Sequence, residues 1–297
     1  MKIVCAWMYA IGRYGFPPAI GDIDKALREM KEMGFRYVEL EGIGYENLEQ
    51  VVARRGELGR ILAGEGLSVA DFAVLLPEII SLEKTKREKA FAAFEKGVET
   101  AAFFGSPYVW IDSYFPPLGV KKGVVPTQAL VYGQEFRVTV PDDFSWERFW
   151  ESFVAAVMRA NDIARSHGIG LLVEPRVGEV VSNSDALLRL IDRVGDDNFG
   201  VILDIGHQHA QKELIPLAIE KLGRRLKYVH IADNDGRDNR HFAPGQGNVD
   251  WEEVFRLLKR RGFDGYFAVD LEKLPDLREQ FIACKGFLER YAEKYGL

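Results

Sequence analysis

The sequence predicts a single (β/α)8 barrel over residues 1–297, and three observations carry that expectation. Short runs rich in β-branched and aromatic residues alternate with amphipathic stretches of helical period from one end of the chain to the other. Eight such units follow one another, and their strands are too apolar for a sheet with one face in water. A parallel sheet covered by helices buries both faces of such strands. The competing arrangement, an open doubly wound sheet, would place a G-x-G-x-x-G turn after the first strand. None is there, and eight even repeats favour closure.

The elements follow in order. Ile3 to Met8 is the first strand, and Ile23, Ala26, Leu27, Met30 and Met33 then recur at helical spacing until Gly34 stops the helix. Tyr37 to Leu40 is the second strand; a helix from Leu48 to Leu62 leads through Gly66 to the third, Ser68 to Val74. A long helix, Ser81 to Phe104, closes at Gly105 before the fourth strand, Tyr108 to Ile111. Ser145 caps a helix with Phe149, Phe153, Val157, Ala160 and Ile163 on one face, ending at Gly168. Leu171 to Glu174 is the fifth strand, with the helix Ser184 to Val194 behind it. Val201 to Asp204 and Tyr228 to Ile231 are the sixth and seventh. Asp250 and Glu253 form a capping box for a helix that Gly262 ends, and Tyr266 to Leu271 is the eighth strand before a closing helix.

Residues 113–144 break this rhythm, standing where a connection of about 2–6 residues is usual. Val124 to Val131 and Glu135 to Val140 read as a hairpin turning near Tyr132 and Gly133. Loops after strands lie over the active face of a barrel, so a lid or an oligomer contact is expected, with a decorative insertion as the alternative.

A chain 47% hydrophobic and 28% charged has the balance of a soluble domain with a sizeable core. Its net charge of −6 argues against a duplex nucleic-acid binder, and Lys121-Lys122 and Arg224-Arg225 are too short to reverse that. Two cysteines, Cys5 and Cys284, make no disulfide framework and fit a reducing compartment. The N-terminus lacks the apolar stretch of a signal peptide, and no run approaches the roughly 18 apolar residues of a bilayer span. A cytoplasmic protein with a small-molecule partner, and neither nucleic acid nor membrane, is expected; a homo-oligomer is left open.

Catalytic groups of a parallel barrel come from the C-terminal ends of its strands. Four successive strands run apolar and then finish in a metal-ligand type: LLVE at Glu174, VILD at Asp204, YVH at His230 and FAVD at Asp270. One such residue alone more often caps a loop. Four on adjacent strands put like-charged carboxylates at one mouth, where they repel, and a divalent cation removes that repulsion. Three carboxylates and one imidazole without a thiolate suit Mn²⁺, Mg²⁺, Co²⁺ or Zn²⁺, with Mn²⁺ preferred, and not a structural zinc site.

The segments VEPR (173–176), LDIGH (203–207), VHIADN (229–234), HFAPGQGNVDW (241–251) and YFAVDLE (266–272) resemble the xylose-isomerase-like barrel superfamily. Their order and spacing are similar to the sugar phosphate isomerases and epimerases within it, over essentially the whole chain. The resemblance implies one metal held by Glu174, Asp204, His230 and Asp270, with His207 facing the substrate. It also implies that Glu174 and the eighth-strand ligand form the acid/base pair. That ligand is usually Glu; here it is Asp270, and Glu272, two residues on, is the other candidate. The apurinic endonucleases of the same barrel use three metals and further histidines. This chain has only His167, His207, His209, His230 and His241, and reads Asn239-Arg240-His241 where an Asp-x-His is needed.

The remaining candidates are read singly. His241, before the rigid turn Pro244-Gly245-Gln246-Gly247, either faces the substrate or makes a loop hydrogen bond. Arg176 either pairs with a substrate oxyanion or orients Glu174. His209 is read as structural, His167 as a macrodipole partner at a helix C-terminus, and Trp7 and Tyr9 as a sugar-facing wall or core packing. The expected activity is isomerisation or epimerisation of a small sugar, sugar phosphate or related ketose through a metal-stabilised enediolate. A dehydratase acting on a keto-inositol or similar polyol is the alternative, and a non-catalytic metal- or sugar-binding barrel stands third. The basic residues Arg176, Arg237 and Lys273 leave phosphate binding open.

Overall fold

Alternate residues of each strand turn inward, and that alternation builds a barrel with two separate cores. In the computed structural model, which describes residues 1–120, 137–272 and 274–297, eight parallel strands close on themselves in sequence order. They are β1 (Lys2–Cys5), β2 (Tyr37–Ile43), β3 (Ser68–Leu75), β4 (Tyr108–Asp112), β5 (Gly170–Glu174), β6 (Phe199–Asp204), β7 (Leu226–Ile231) and β8 (Tyr266–Val269). Closure comes from β8 pairing with β1, Val4 opposite Ala268 and Cys5 opposite Val269. The predicted fold class is the observed one.

The inner core is small and layered. Val4, Ala70, Trp110, Leu172, Ile202 and Tyr228 pack inside the strands, with the rings of Tyr37, Tyr108 and Tyr266 against them. The Tyr228 and Tyr266 rings stack with centroids 5.5 Å apart. The outer core lies between strands and helices, where Phe72, Phe94, Phe149, Phe199, Phe255 and Phe267 are essentially inaccessible. Each such side chain contributes about 1.5–3 kcal/mol by leaving water, so this shell supplies most of the driving force.

The helices cover the strands in turn. After β1 come α1 (Met8–Tyr14) and α2 (Ile23–Glu32), after β2 α3 (Gly44–Glu65), and after β3 α4 (Lys84–Phe103). Next are α5 (Trp146–Ser166), α6 (Ser184–Val194), α7 (Ile205–Ala210) and α8 (Ile215–Leu222), then α9 (Trp251–Arg260) and α10 (Leu277–Tyr295). Ser145 caps α5 as predicted, its hydroxyl accepting from the Arg148 N–H at 3.3 Å. Only half of the expected box forms at α9. Asp250 accepts from the Glu253 N–H at 3.1 Å, while the Glu253 carboxylate turns to Arg256.

Two strands are shorter than predicted. The chain leaves β1 at Cys5 and turns into α1, the Ile11 N–H donating to the Trp7 carbonyl at 3.1 Å, so Trp7 and Met8 are not strand residues. Likewise β8 ends at Val269 and not at Leu271. In the segment after β4, Gly119–Val120 pairs antiparallel with Val138–Thr139. The first arm of the predicted hairpin, Val124 to Val131, and its turn at Tyr132 and Gly133 lie outside the described residues. Among the described residues no helix is long and apolar enough to cross a membrane. Cys5 and Cys284 are both buried thiols.

Candidate metal centre

Register brings the four predicted ligands to one end of the barrel. Asp112 pairs with Glu174 and Asp204 with His230, while Ala268 pairs with His230 and Asp270 follows two residues beyond it, so these residues gather at the C-terminal ends of β4 to β8. Glu174, Asp204, His230 and Asp270 are each at most 4% exposed. His230 stands at the centre. Its Nδ1 lies 2.7 Å from Glu174 Oε1, 3.6 Å from Asp204 Oδ2 and 3.9 Å from Asp270 Oδ2.

These atoms are close but not mutually satisfied. Glu174 Oε1 and Asp204 Oδ2 have no aligned hydrogen bond, despite the 2.7 Å approach of His230 to the first. Buried carboxylate oxygens are rarely left so. Glu174, Asp204 and His230 can each offer one donor atom with all three atoms within 4.8 Å of one another. Oxygen and nitrogen lone pairs meeting in a buried space are the donor set of a divalent cation, so these residues fit the ion that the sequence implies. A second group, Asp204, His207 and His241, satisfies the same distance test and shares Asp204.

Electrostatics agree with this arrangement. Burial pushes the Glu174 carboxyl up to about 7, against the pull of His230 and Arg176. Asp204, although buried, is held well below the usual carboxylate range by the imidazoles of His207, His241 and His230. Burial opposes charge on His230, yet Glu174 and Glu39 raise its proton affinity well above the ordinary histidine value. A protonated His230 thus supplies the positive charge this cluster of acids requires when no ion is bound.

The residues around the four are tightly ordered. Arg176 donates from Nη1 to Asp112 Oδ2 at 2.7 Å and from Nε to His207 Nε2 at 3.1 Å, and its Nε lies 3.7 Å from Glu174 Oε2. It therefore orients Glu174 and its neighbours. His207 donates its backbone N–H to Asp204 Oδ1 at 2.7 Å, and its ring meets that of His241 edge-on at 5.4 Å. Burial and Arg176 push the proton affinity of the His207 imidazole down, although Asp204 pulls the other way. His241 Nδ1 is 2.8 Å from Asp270 Oδ2 and 3.0 Å from its carbonyl. Burial opposes its charge, but Asp204 and Asp270 raise it to about 10. Glu272 lies beyond the end of β8, so strand alternation does not place it below Asp270; its N–H donates to the His241 carbonyl at 3.1 Å.

Four candidates have structural surroundings. His209 Nε2 lies 2.5 Å from Asn248 Oδ1 in the loop, and His167 is the residue that ends α5. Tyr9 packs in the outer core against Phe281 and donates its hydroxyl to Glu29 at 2.7 Å; Trp7 is buried in the same core.

Several buried groups were not anticipated. Asp233 organises the loop that carries His241, accepting from the N–H groups of Asn234 (2.9 Å), Gly245 (2.8 Å) and Val249 (3.2 Å) and from Trp251 Nε1 (3.0 Å). A side chain at Gly247 would put Cβ 2.3 Å from both Asp233 Oδ1 and the Asn234 carbonyl, so only glycine fits that crossing. On the opposite side, Glu39 accepts from the Trp7 N–H at 3.0 Å and from the Tyr228 hydroxyl at 2.9 Å, with Oε1 3.4 Å from His230 Nε2. Asp71 accepts from Trp110 Nε1 at 2.9 Å. Glu179 accepts from Ser113 Oγ and the Tyr114 N–H, and burial with Asp112 nearby raises its carboxyl to about 8. Glu41 and Asp112 complete this set, each 6% exposed. Their signal was present in YVELE and YVWID, which also run apolar into a carboxylate.

Comparison with known proteins places this architecture. The family model described as xylose isomerase-like TIM barrel matches residues 27–285, and the chain belongs to that family. A fructoselysine 3-epimerase of Escherichia coli O157:H7 is 29% identical over 154 residues, covering 51% of this chain and 54% of that protein. An inosose dehydratase of Clostridium perfringens is 24% identical over 146 residues, covering 43% and 49%. The chain thus spans about half the length of the curated relatives it matches. Among solved structures, D-psicose 3-epimerase with D-tagatose from Clostridium cellulolyticum H10 superposes with a TM-score of 0.76 at 16% identity, covering 98% of this chain and 99% of that one. An IOLI protein with a binding zinc atom gives 0.72 at 19%, covering 99% of each. At such identities these two show the fold. Fructoselysine epimerisation and inosose dehydration are the activities named for those two relatives.

Proposed function

We propose that this chain is a divalent-metal-dependent epimerase or isomerase of a small sugar, sugar phosphate or related ketose. The observation that carries this reading is the pair of buried, unsatisfied oxygens, Glu174 Oε1 and Asp204 Oδ2, gathered around His230 Nδ1. Glu174, Asp204 and His230 would hold the ion, with Asp270 the fourth ligand, and Mn²⁺ is the preferred metal for so oxygen-rich a set. When bound, such an ion supplies Lewis acidity that makes the hydrogen beside a carbonyl removable near neutral pH.

The protein's own groups handle the proton. Glu174, with a proton affinity near neutrality, is suited to take it from the carbon. Arg176 keeps that carboxylate aimed by lying between it, Asp112 and His207. Asp270 and His241, 2.8 Å apart, would return a proton from the opposite face. Return to the same carbon inverts it; return to the neighbouring carbon isomerises the sugar. Asp270 is shorter than the usual glutamate, and the His241 N–H bonded to it compensates by extending the proton-bearing group. Glu39, 3.4 Å from His230 Nε2, would fix the ring that the ion requires.

One observation favours a second reading, dehydration of a keto-polyol. His241, held protonated to about 10, is an acid that can protonate a departing hydroxyl. Incubation with a panel of ketoses and keto-inositols in D₂O, with and without Mn²⁺, tests both. Metal-dependent deuterium incorporation beside the carbonyl with an epimeric or isomeric product is expected. A keto-deoxy product would instead establish the lyase, and no exchange with any member would leave a non-catalytic barrel.

A further inference from the structure

One buried carboxyl at the mouth has no role in the proton transfer and an oxygen that nothing serves. Glu39 points into the barrel, where it meets Tyr228 and His230. Glu41, two residues further along β2, faces the same way about 7 Å nearer the mouth. It is 6% exposed, and among the described residues its Oε2 has no hydrogen-bond partner. The surroundings give the reason. Ala73 stands opposite it on β3, and Met8 and Leu75, half-buried against the inner core, lie just beyond β1 and at the end of β3. None of these side chains carries an N–H or O–H. Asp112, the nearby acid of β4, differs in being held by Arg176 at 2.7 Å. Buried polar oxygens are rarely left without a partner, so Glu41 points to a ligand group that reaches it.

We propose that Glu41 is a specificity-determining residue, hydrogen-bonded through Oε2 to a hydroxyl on the part of the substrate remote from its reacting carbons. A hydroxyl both donates and accepts, so it satisfies that oxygen whether or not the carboxyl carries a proton. Burial, followed by Glu39, Asp112 and Asp270, raises the carboxyl well above its usual range, so near neutral pH the bond joins two uncharged groups. Recognition of this kind works by position and hydrogen bonding and needs no net charge at the mouth. The apolar side chains around Glu41 fit the same role. Met8, Ala73 and Leu75 can cover the C–H face of a sugar, and they offer a misplaced hydroxyl nothing to bond. This inference rests on the ketose reading and adds a residue that chooses among ketoses.

The test is equilibrium binding by calorimetry to the Mn²⁺-loaded protein. The probes are whichever of D-fructose, D-psicose and D-tagatose binds tightest, and the 4-deoxy, 5-deoxy and 6-deoxy analogues of that sugar. Deuterium exchange is followed in parallel. At least one analogue should bind about tenfold or more weakly than its parent. In Glu41→Leu that penalty should fall below about twofold, while Glu41→Gln, whose amide still donates and accepts, keeps most of it; Mn²⁺ affinity holds in both. Equal binding of parent and analogues to the unaltered protein overturns the proposal and needs no variant. A folded Glu41→Leu protein that keeps the full penalty also overturns it, as does a lack of binding by all three parent sugars. A penalty that Glu41→Leu removes, without exchange on any sugar, leaves the residue's role standing and sinks the epimerase reading; exchange with no penalty does the reverse.

Discussion

The two halves of the barrel mouth are built from the same strand-end signal and differ in what it produces. At the ends of β5 to β8 stand Glu174, Asp204, His230 and Asp270, and His230 draws three carboxylates within 3.9 Å of its Nδ1. On β2 to β4 the inward acids are Glu39, Glu41, Asp71 and Asp112, and no histidine lies among them. Their oxygens are served by Trp7, Tyr228, Trp110 and Arg176, or by nothing. Carboxylates on adjacent strands therefore do not suffice for a metal centre. An imidazole that can exchange its proton for an ion would turn one half into a ligand set, and its lack leaves the other half as acceptors.

The largest effect expected from this contrast is at Glu174. Glu174→Gln should lower kcat/KM by at least about a thousandfold, as removal of a general base and ligand requires. Comparable activity in that variant, measured by epimer formation, would break the distinction between the halves. Glu39 joins them, since it belongs to β2 but faces His230. Glu39→Gln should weaken Mn²⁺ binding by about 10–100-fold in a chelator competition, with little change in melting temperature of the metal-free protein. An unchanged affinity would return Glu39 to a purely structural place beside Tyr228.

The metal half should also titrate. Below about 7 Glu174 holds a proton, and His230 holds one to higher pH still, so an ion must displace both. Mn²⁺ affinity should rise by about tenfold or more from pH 6 to 8, with proton release visible as a buffer-dependent binding enthalpy. A flat profile would mean that the ion binds elsewhere. The smallest effect belongs to Asp71. Burial and Glu39 hold its carboxyl well above the usual range, so it is neutral at pH 7 and an amide mimics it. Asp71→Asn should cost less than about 1 kcal/mol in urea denaturation, its oxygen still accepting from Trp110.

The fold was legible because each unit repeats one physical pattern, an apolar strand and an amphipathic helix closed by glycine. Glu174, Asp204 and His230 were legible for a related reason: strand-end position states which way a side chain points when the strand is regular. Irregularity hid the rest. Opposite Val38 and Glu39, β3 carries an extra residue, Ala70, between Val69 and Asp71, so the phase that turns Asp71 inward cannot be counted from the start of that strand. Trp7 and Met8 have strand propensity, but the backbone there is already helical, a tertiary decision. Asp233 follows a legible strand, yet its four partners come from residues up to eighteen positions away, and no local spacing announces them.

That Asp233 clasp has a consequence for how selectivity could change over generations. It ties the loop from Asn234 to Trp251 and sets where His241 stands. Asp235, Arg237 and Arg240 meanwhile remain exposed on the same loop. Side chains at these three places can be exchanged without disturbing the clasp, which leaves them open to drift while the reactive centre stays under constraint. A barrel built this way can acquire a new substrate by editing an arm whose hinge is already bolted.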